Sequence, residues 1–67
     1  MTTYAITTDG SHYTETNRRT AVALARTLVA KGGAQWSRVR IDGEPGNAPA
    51  VAAYERATDG RAVRVNA

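Results

Sequence analysis

The chain has no cysteine and no phenylalanine, and a single tryptophan, histidine and methionine. Without cysteine there is no disulfide framework, no thiolate nucleophile and no thiolate metal site, so a reducing, cytoplasmic setting is expected. One histidine falls short of the three or four ligands that zinc prefers. No apolar run approaches the ~20 residues that cross a bilayer. Met1-Thr2-Thr3-Tyr4 leads straight into strand-like sequence, without the basic and then apolar stretches of a secretory signal, so neither export nor a membrane role is expected.

Catalytic signatures are equally sparse. Asp9, Ser11 and His12 are the residue types of an acyl-transfer triad, but neighbours in a tight turn rarely converge, and strand alternation sends Ser11 and His12 to opposite sides. Gly32-Gly33 follows a helix-like segment instead of opening one, and Gly43 and Gly46 lack the spacing of a phosphate-binding loop. No carboxylate pair suited to glycoside hydrolysis is evident. The expectation is a non-enzymatic protein with no metal and no small-molecule cofactor.

What is present fits one small domain, 1–67, of the α+β class. A chain of 67 residues buries only about 60% of the surface that its unfolded form exposes, so a homodimer would offer welcome extra burial. Nine basic residues, all arginine except Lys31, outnumber six acidic ones, for a net charge of +3 and a pI near 10.0. That balance favours nucleic acid or an acidic protein surface as partner. The richness in alanine, valine and glycine offers a competing origin for the arginines in coding bias, so their placement has to carry the argument.

Residues Thr2 to Thr8 alternate, with Tyr4 and Ile6 on one side, and Asp9-Gly10 is a strong hairpin signal because a type I′ turn needs positive φ at both central residues. A two-residue loop there sets Ile6 opposite Tyr13 and Tyr4 opposite Glu15. From Asn17 the period changes: Ala21, Val22, Leu24, Ala25, Leu28 and Val29 recur at helical spacing, while Arg18, Arg19, Ala23, Arg26 and Ala30 lie elsewhere. Thr16 or Asn17 is the expected N-cap, and Lys31-Gly32-Gly33 the basic, glycine-rich end. Gln35 to Ile41 alternates again, and Asp42 to Ala48 reads as a loop.

Pro49 to Ala57 is compatible with helix by propensity, which gives a ββαβαβ order with a second helix at 48–58, or with a strand, which gives ββαβββ. The strand is preferred because Tyr54…Thr58-Asp59-Gly60 echoes Tyr4…Thr8-Asp9-Gly10. A two-residue Asp59-Gly60 loop then pairs Tyr54 with Val65, Arg56 with Val63, and Glu55 with Arg64, a complementary pair of charges. The expected core is Tyr4, Ile6, Tyr13, Val22, Leu24, Ala25, Leu28, Val29, Val39, Ile41, Tyr54, Val63 and Val65.

The hairpin ending at Asp9-Gly10, the run Thr20-Ala21…Ala25…Leu28…Lys31-Gly32-Gly33 and the Trp/Arg strand resemble, in style and element order, short accessory proteins of actinobacteria and their phages. The resemblance spans most of the chain and implies an intracellular accessory or regulatory role, with no functional residue carried over.

Trp36-x-Arg38-x-Arg40 is the most informative constellation, because a strand presents all three on one face, with Arg64 and His12 on neighbouring strands. An aromatic platform among arginines suits single-stranded nucleic acid. Arg18 and Arg19 at the helix start extend that candidate patch. The competing view is packing, with arginine stems lying across the ring. A second reading makes the same face, with Ala5, Thr7, Thr14, Ala53, Ala57 and Ala62, a flat surface for protein interaction or self-association.

Overall fold

The computed structural model describes residues 2–65. The order is β1 (Tyr4–Thr8), β2 (His12–Glu15), α1 (Arg18–Ala30), β3 (Trp36–Ile41), β4 (Ala52–Arg56) and β5 (Ala62–Arg64). The strands form one antiparallel sheet in the order β2-β1-β3-β4-β5, and α1 covers one face. The ββαβββ reading therefore holds, and β4 is extended where a second helix was the alternative. No helix among the described residues is long and apolar enough to cross a membrane.

The helix starts where the Asn17 side chain accepts a hydrogen bond from the Thr20 amide at 3.0 Å, satisfying one of the donors that a first turn leaves free. Its end is sterically specified. A Cβ on Gly32 would lie 2.9 Å from the Leu28 carbonyl oxygen, and Gly33 takes a left-handed φ of 85° as the chain turns towards β3. Lys31 is the C-cap, one place beyond the helix.

Small residues set the helix close to the sheet. Ala21, Ala25 and Val29 are fully buried against Ile6, Val39, Ala52 and Tyr54, while Val22, Leu24 and Leu28 pack round the margin half-buried. Ser37, 1% exposed, donates from Oγ to the Ala25 carbonyl at 2.8 Å and ties β3 to the middle of the helix. Arg56 holds the other end, with Nη2 donating to the Val29 carbonyl at 3.0 Å, where a cation also complements the helix dipole.

The first hairpin has the expected pairing, Ile6 opposite Tyr13 and Tyr4 opposite Glu15. Its turn chemistry differs: neither Asp9 nor Gly10 has the positive φ of a type I′ turn. The Thr8 hydroxyl instead accepts from the Gly10 amide at 3.2 Å, and the Asp9 carboxylate accepts from the Gln35 amide, also at 3.2 Å.

The last hairpin corrects the expected register by one residue. Its loop has three residues, Thr58, Asp59 and Gly60, closed by a Gly60 amide to Ala57 carbonyl hydrogen bond of 2.9 Å, with Gly60 at a φ of 89°. Tyr54 therefore faces Arg64, Glu55 faces Val63 and Arg56 faces Ala62. A one-residue slip exchanges the two faces of a strand. Val63 consequently leaves the expected core and is 41% exposed; Val65 is half-buried, and Tyr13 and Ile41 also lie at the surface. Ala21, Ala52 and Ser37 take their place in the interior.

Candidate anion-binding surfaces

Alternation along β3 puts Ser37 and Val39 under the helix and Trp36, Arg38 and Arg40 on the open face. Trp36 is 37% exposed, and the Arg38 guanidinium carbon lies 5.8 Å from its ring centroid, within cation–π range. Arg38 pairs across the sheet with Thr7 on one side and Ala53 on the other, and Thr7 pairs with His12. Trp36, Arg38, Thr7 and His12 thus share one surface, but Glu55 stands directly opposite Trp36 and sets a carboxylate beside the ring.

Arg40 shares this face but is held by its own loop, and three expected members, Arg64, Arg18 and Arg19, are elsewhere. Arg40 has its Nη2 committed to the β3–β4 loop, donating to the carbonyls of Gly46 at 2.6 Å, Ala48 at 2.7 Å and Pro45 at 3.3 Å. It organises that loop, which lacks regular structure of its own. Arg64 lies on the helix-side face, because the three-residue loop places it opposite Tyr54. The expected Glu55–Arg64 pair is therefore broken: Glu55 meets Val63, and Arg64 donates to the Val51 carbonyl at 3.3 Å. Arg18 and Arg19 project from the helix that covers the opposite side of the sheet, so they do not extend the Trp36 patch.

They belong instead to an open groove of ≈ 880 Å³ along α1, lined by Arg18, Arg19, Val22, Ala23, Arg26, Thr27, Ala30, Lys31 and Tyr54. The floor is aliphatic or aromatic carbon and the rim carries four cations. Among the described residues, no carboxylate lines it. The chain explains the imbalance: between Thr16 and Ile41 there are six basic residues and no acidic one. All the acids stand in turns, loops or other strands. Arg61 contributes little here, because Asp59 holds it at 2.7 Å. Arg26 and Lys31 were not among the expected site residues. The sequence signal for Arg26 is the stripe Arg19, Ala23, Arg26 and Ala30 at helical spacing off the apolar face, and Lys31 enters the sequence reading only as the basic end of the helix.

Among the described residues no group of histidine and acidic side chains is arranged to hold a metal ion. Ser11 and His12 form no relay with Asp9: the His12 Nδ1 lies 3.5 Å from the Thr7 hydroxyl, and Asp9 is used on the Gln35 amide.

Fold and surfaces together define a small α+β module with a basic helical groove on one side and a Trp/Arg sheet face on the other. Neither the sequence nor the structure has a significant match among protein-family models, curated proteins or solved structures.

Proposed function

We propose that this protein is a non-enzymatic binding module that captures a negatively charged macromolecular partner on the groove of α1. The observation that carries this reading is the grouping of Arg18, Arg19, Arg26 and Lys31 round an apolar floor with no acidic residue in the lining. Such a cluster raises the local concentration of anions and accelerates encounter with them. It also has a folding cost. Arg18 and Arg19 occupy a first turn that contains no acid, where positive charge opposes the helix dipole by a few tenths of a kcal/mol. An anionic partner offsets that cost on binding. The resemblance to short actinobacterial and phage accessory proteins fits a module of this kind.

The test is a titration with DNA, RNA and heparin at two salt concentrations. Affinity should fall as salt rises, and Arg26→Glu should abolish binding that Arg38→Glu leaves in place. The opposite ranking of those two variants would move the site to the sheet.

A second reading keeps single-stranded nucleic acid on the open sheet face, favoured by the accessible Trp36 ring with Arg38 beside it. Glu55 opposite Trp36 and the commitment of Arg40 to its loop leave this face fewer free cations than the groove. The same exposed Trp36 and Val63 also suit self-association.

A further inference from the structure

We infer that the occupant of the α1 groove is an acidic amphipathic helix of a partner protein, laid along α1. This deepens the binding reading above and rests on it. The first ground is the spacing of the lining. Ala23 and Ala30, both exposed, are seven residues apart along the groove, as are Arg19 and Arg26 beside them. Seven residues of helix rise about 10.5 Å, so a partner helix with small or branched apolar side chains on one stripe and glutamates one heptad apart beside it matches both rows at once. These small exposed side chains allow the two backbones to approach closely. The 13 residues of α1 offer about 20 Å, close to four turns, for such a helix to follow.

The second ground is what the groove lacks. Nucleic acid bound without sequence preference uses aromatic faces on which bases stack. The one aromatic residue here, Tyr54, is 7% exposed and belongs to the buried core, so it offers little ring surface to a base. An aliphatic floor is better matched by leucine, isoleucine and alanine side chains than by a sugar-phosphate chain.

The third ground excludes the helix of a second copy of this chain as the occupant. Its helix carries Arg18, Arg19 and Arg26 and no acid, so helix against helix would set arginine against arginine. Its carboxylates, at Asp9, Glu15, Asp42, Glu44, Glu55 and Asp59, lie outside the helix, in strands, turns and loops. Charge complementarity therefore asks for a different polypeptide, one whose acids are carried on a helix. Helix-in-groove recognition of this kind is read by anchors at i, i+3, i+4 and i+7.

Fluorescence anisotropy with four labelled probes tests the inference on the intact protein: a synthetic acidic amphipathic peptide of about five turns, the same composition with a central proline, poly-glutamate and oligo-dT. The helical peptide should bind at least tenfold more tightly than the other three. Ala23→Gln, at an exposed position in the lining, should weaken the helical peptide tenfold or more and leave poly-glutamate within twofold. Arg26→Glu should weaken both peptides and poly-glutamate by tenfold or more. Equal affinity for the proline peptide or poly-glutamate, with Arg26→Glu still disruptive, overturns the helix while leaving anion capture standing. Tighter binding of oligo-dT overturns it in favour of nucleic acid. Binding by no probe, or binding indifferent to Arg26→Glu, overturns the groove as a site altogether.

Discussion

The Ser37 hydroxyl donates to the Ala25 carbonyl at 2.8 Å in the interior, between the central strand of the sheet and the middle of its one helix. A buried neutral hydrogen bond of this kind contributes ~1 kcal/mol net. Ser37→Ala should therefore lower stability by about that amount and the midpoint of thermal unfolding by roughly 4–8 °C in a domain of this size. An unchanged midpoint would mean that the helix is positioned by apolar packing alone.

The floor of that same packing is alanine, and little space is left over it. Ala25→Leu should cost ~1–3 kcal/mol or more by forcing the helix off β3, whereas Arg26→Ala next to it, on the exposed side, should be nearly neutral. Denaturant midpoints for the two variants make the comparison, and similar values would contradict the assigned helix face.

Arg40 and Arg38, two residues apart on one face, should behave as different kinds of arginine. Arg40→Ala leaves three loop carbonyls without their shared donor, so amide exchange should quicken across 43–48 with a loss of ~1 kcal/mol in stability. Arg38→Ala should leave that loop unchanged. Equal protection of the loop in both variants would remove the organising role of Arg40.

The two Asp-Gly turns, identical in sequence, should respond differently to the same change. Gly60→Ala forces a side chain into a φ of 89° and should cost ~1 kcal/mol or more, while Gly10→Ala meets open space at a φ that is not left-handed and should be close to neutral. Thermal melts of the pair decide it. Equivalent losses would mean that the two hairpins share one turn type after all.

That difference also explains how far the sequence could be read. Element order, an N-cap at Thr16 or Asn17 and the first register follow from local alternation, helical spacing and capping chemistry, which act over a few residues, whereas the strand at β4 is reached from the Asp-Gly echo and from a pairing whose register the structure corrects. The second register does not follow from local signals. Asp-Gly serves a two-residue loop in one hairpin and closes a three-residue loop in the other, and the choice rests on which side chains the helix can cover: Tyr54 and Ala62 go in, and Val63 goes out. The error then carried Arg64 to the wrong face. Arg40 lies on the expected face, but strand alternation gives only the side of the sheet and not whether a neighbouring loop supplies carbonyls to the guanidinium. The groove escaped because its cations sit on a helix face that looks like ordinary solvated surface until Tyr54 and β4 are set beside it.

If the open sheet face does bind single strands, Trp36→Ala should weaken binding by ~1–3 kcal/mol with the salt slope unchanged, and loss of Arg38 should flatten the slope of log K against log salt by about 0.7. Acrylamide should quench the Trp36 fluorescence of the free protein, as its 37% exposure requires. Binding that ignores both substitutions would leave the ring to packing with Arg38.

The central claim is that the anionic partner sits on α1, and backbone amide chemical-shift mapping of the protein with poly-glutamate at low salt tests it most directly. The expected result is a contiguous set of perturbed amides from Arg18 to Lys31 and at Tyr54, fading as salt is raised, with the Trp36 indole and the β2 amides unmoved. Perturbations centred on Trp36, Arg38 and His12, with α1 silent, would contradict it.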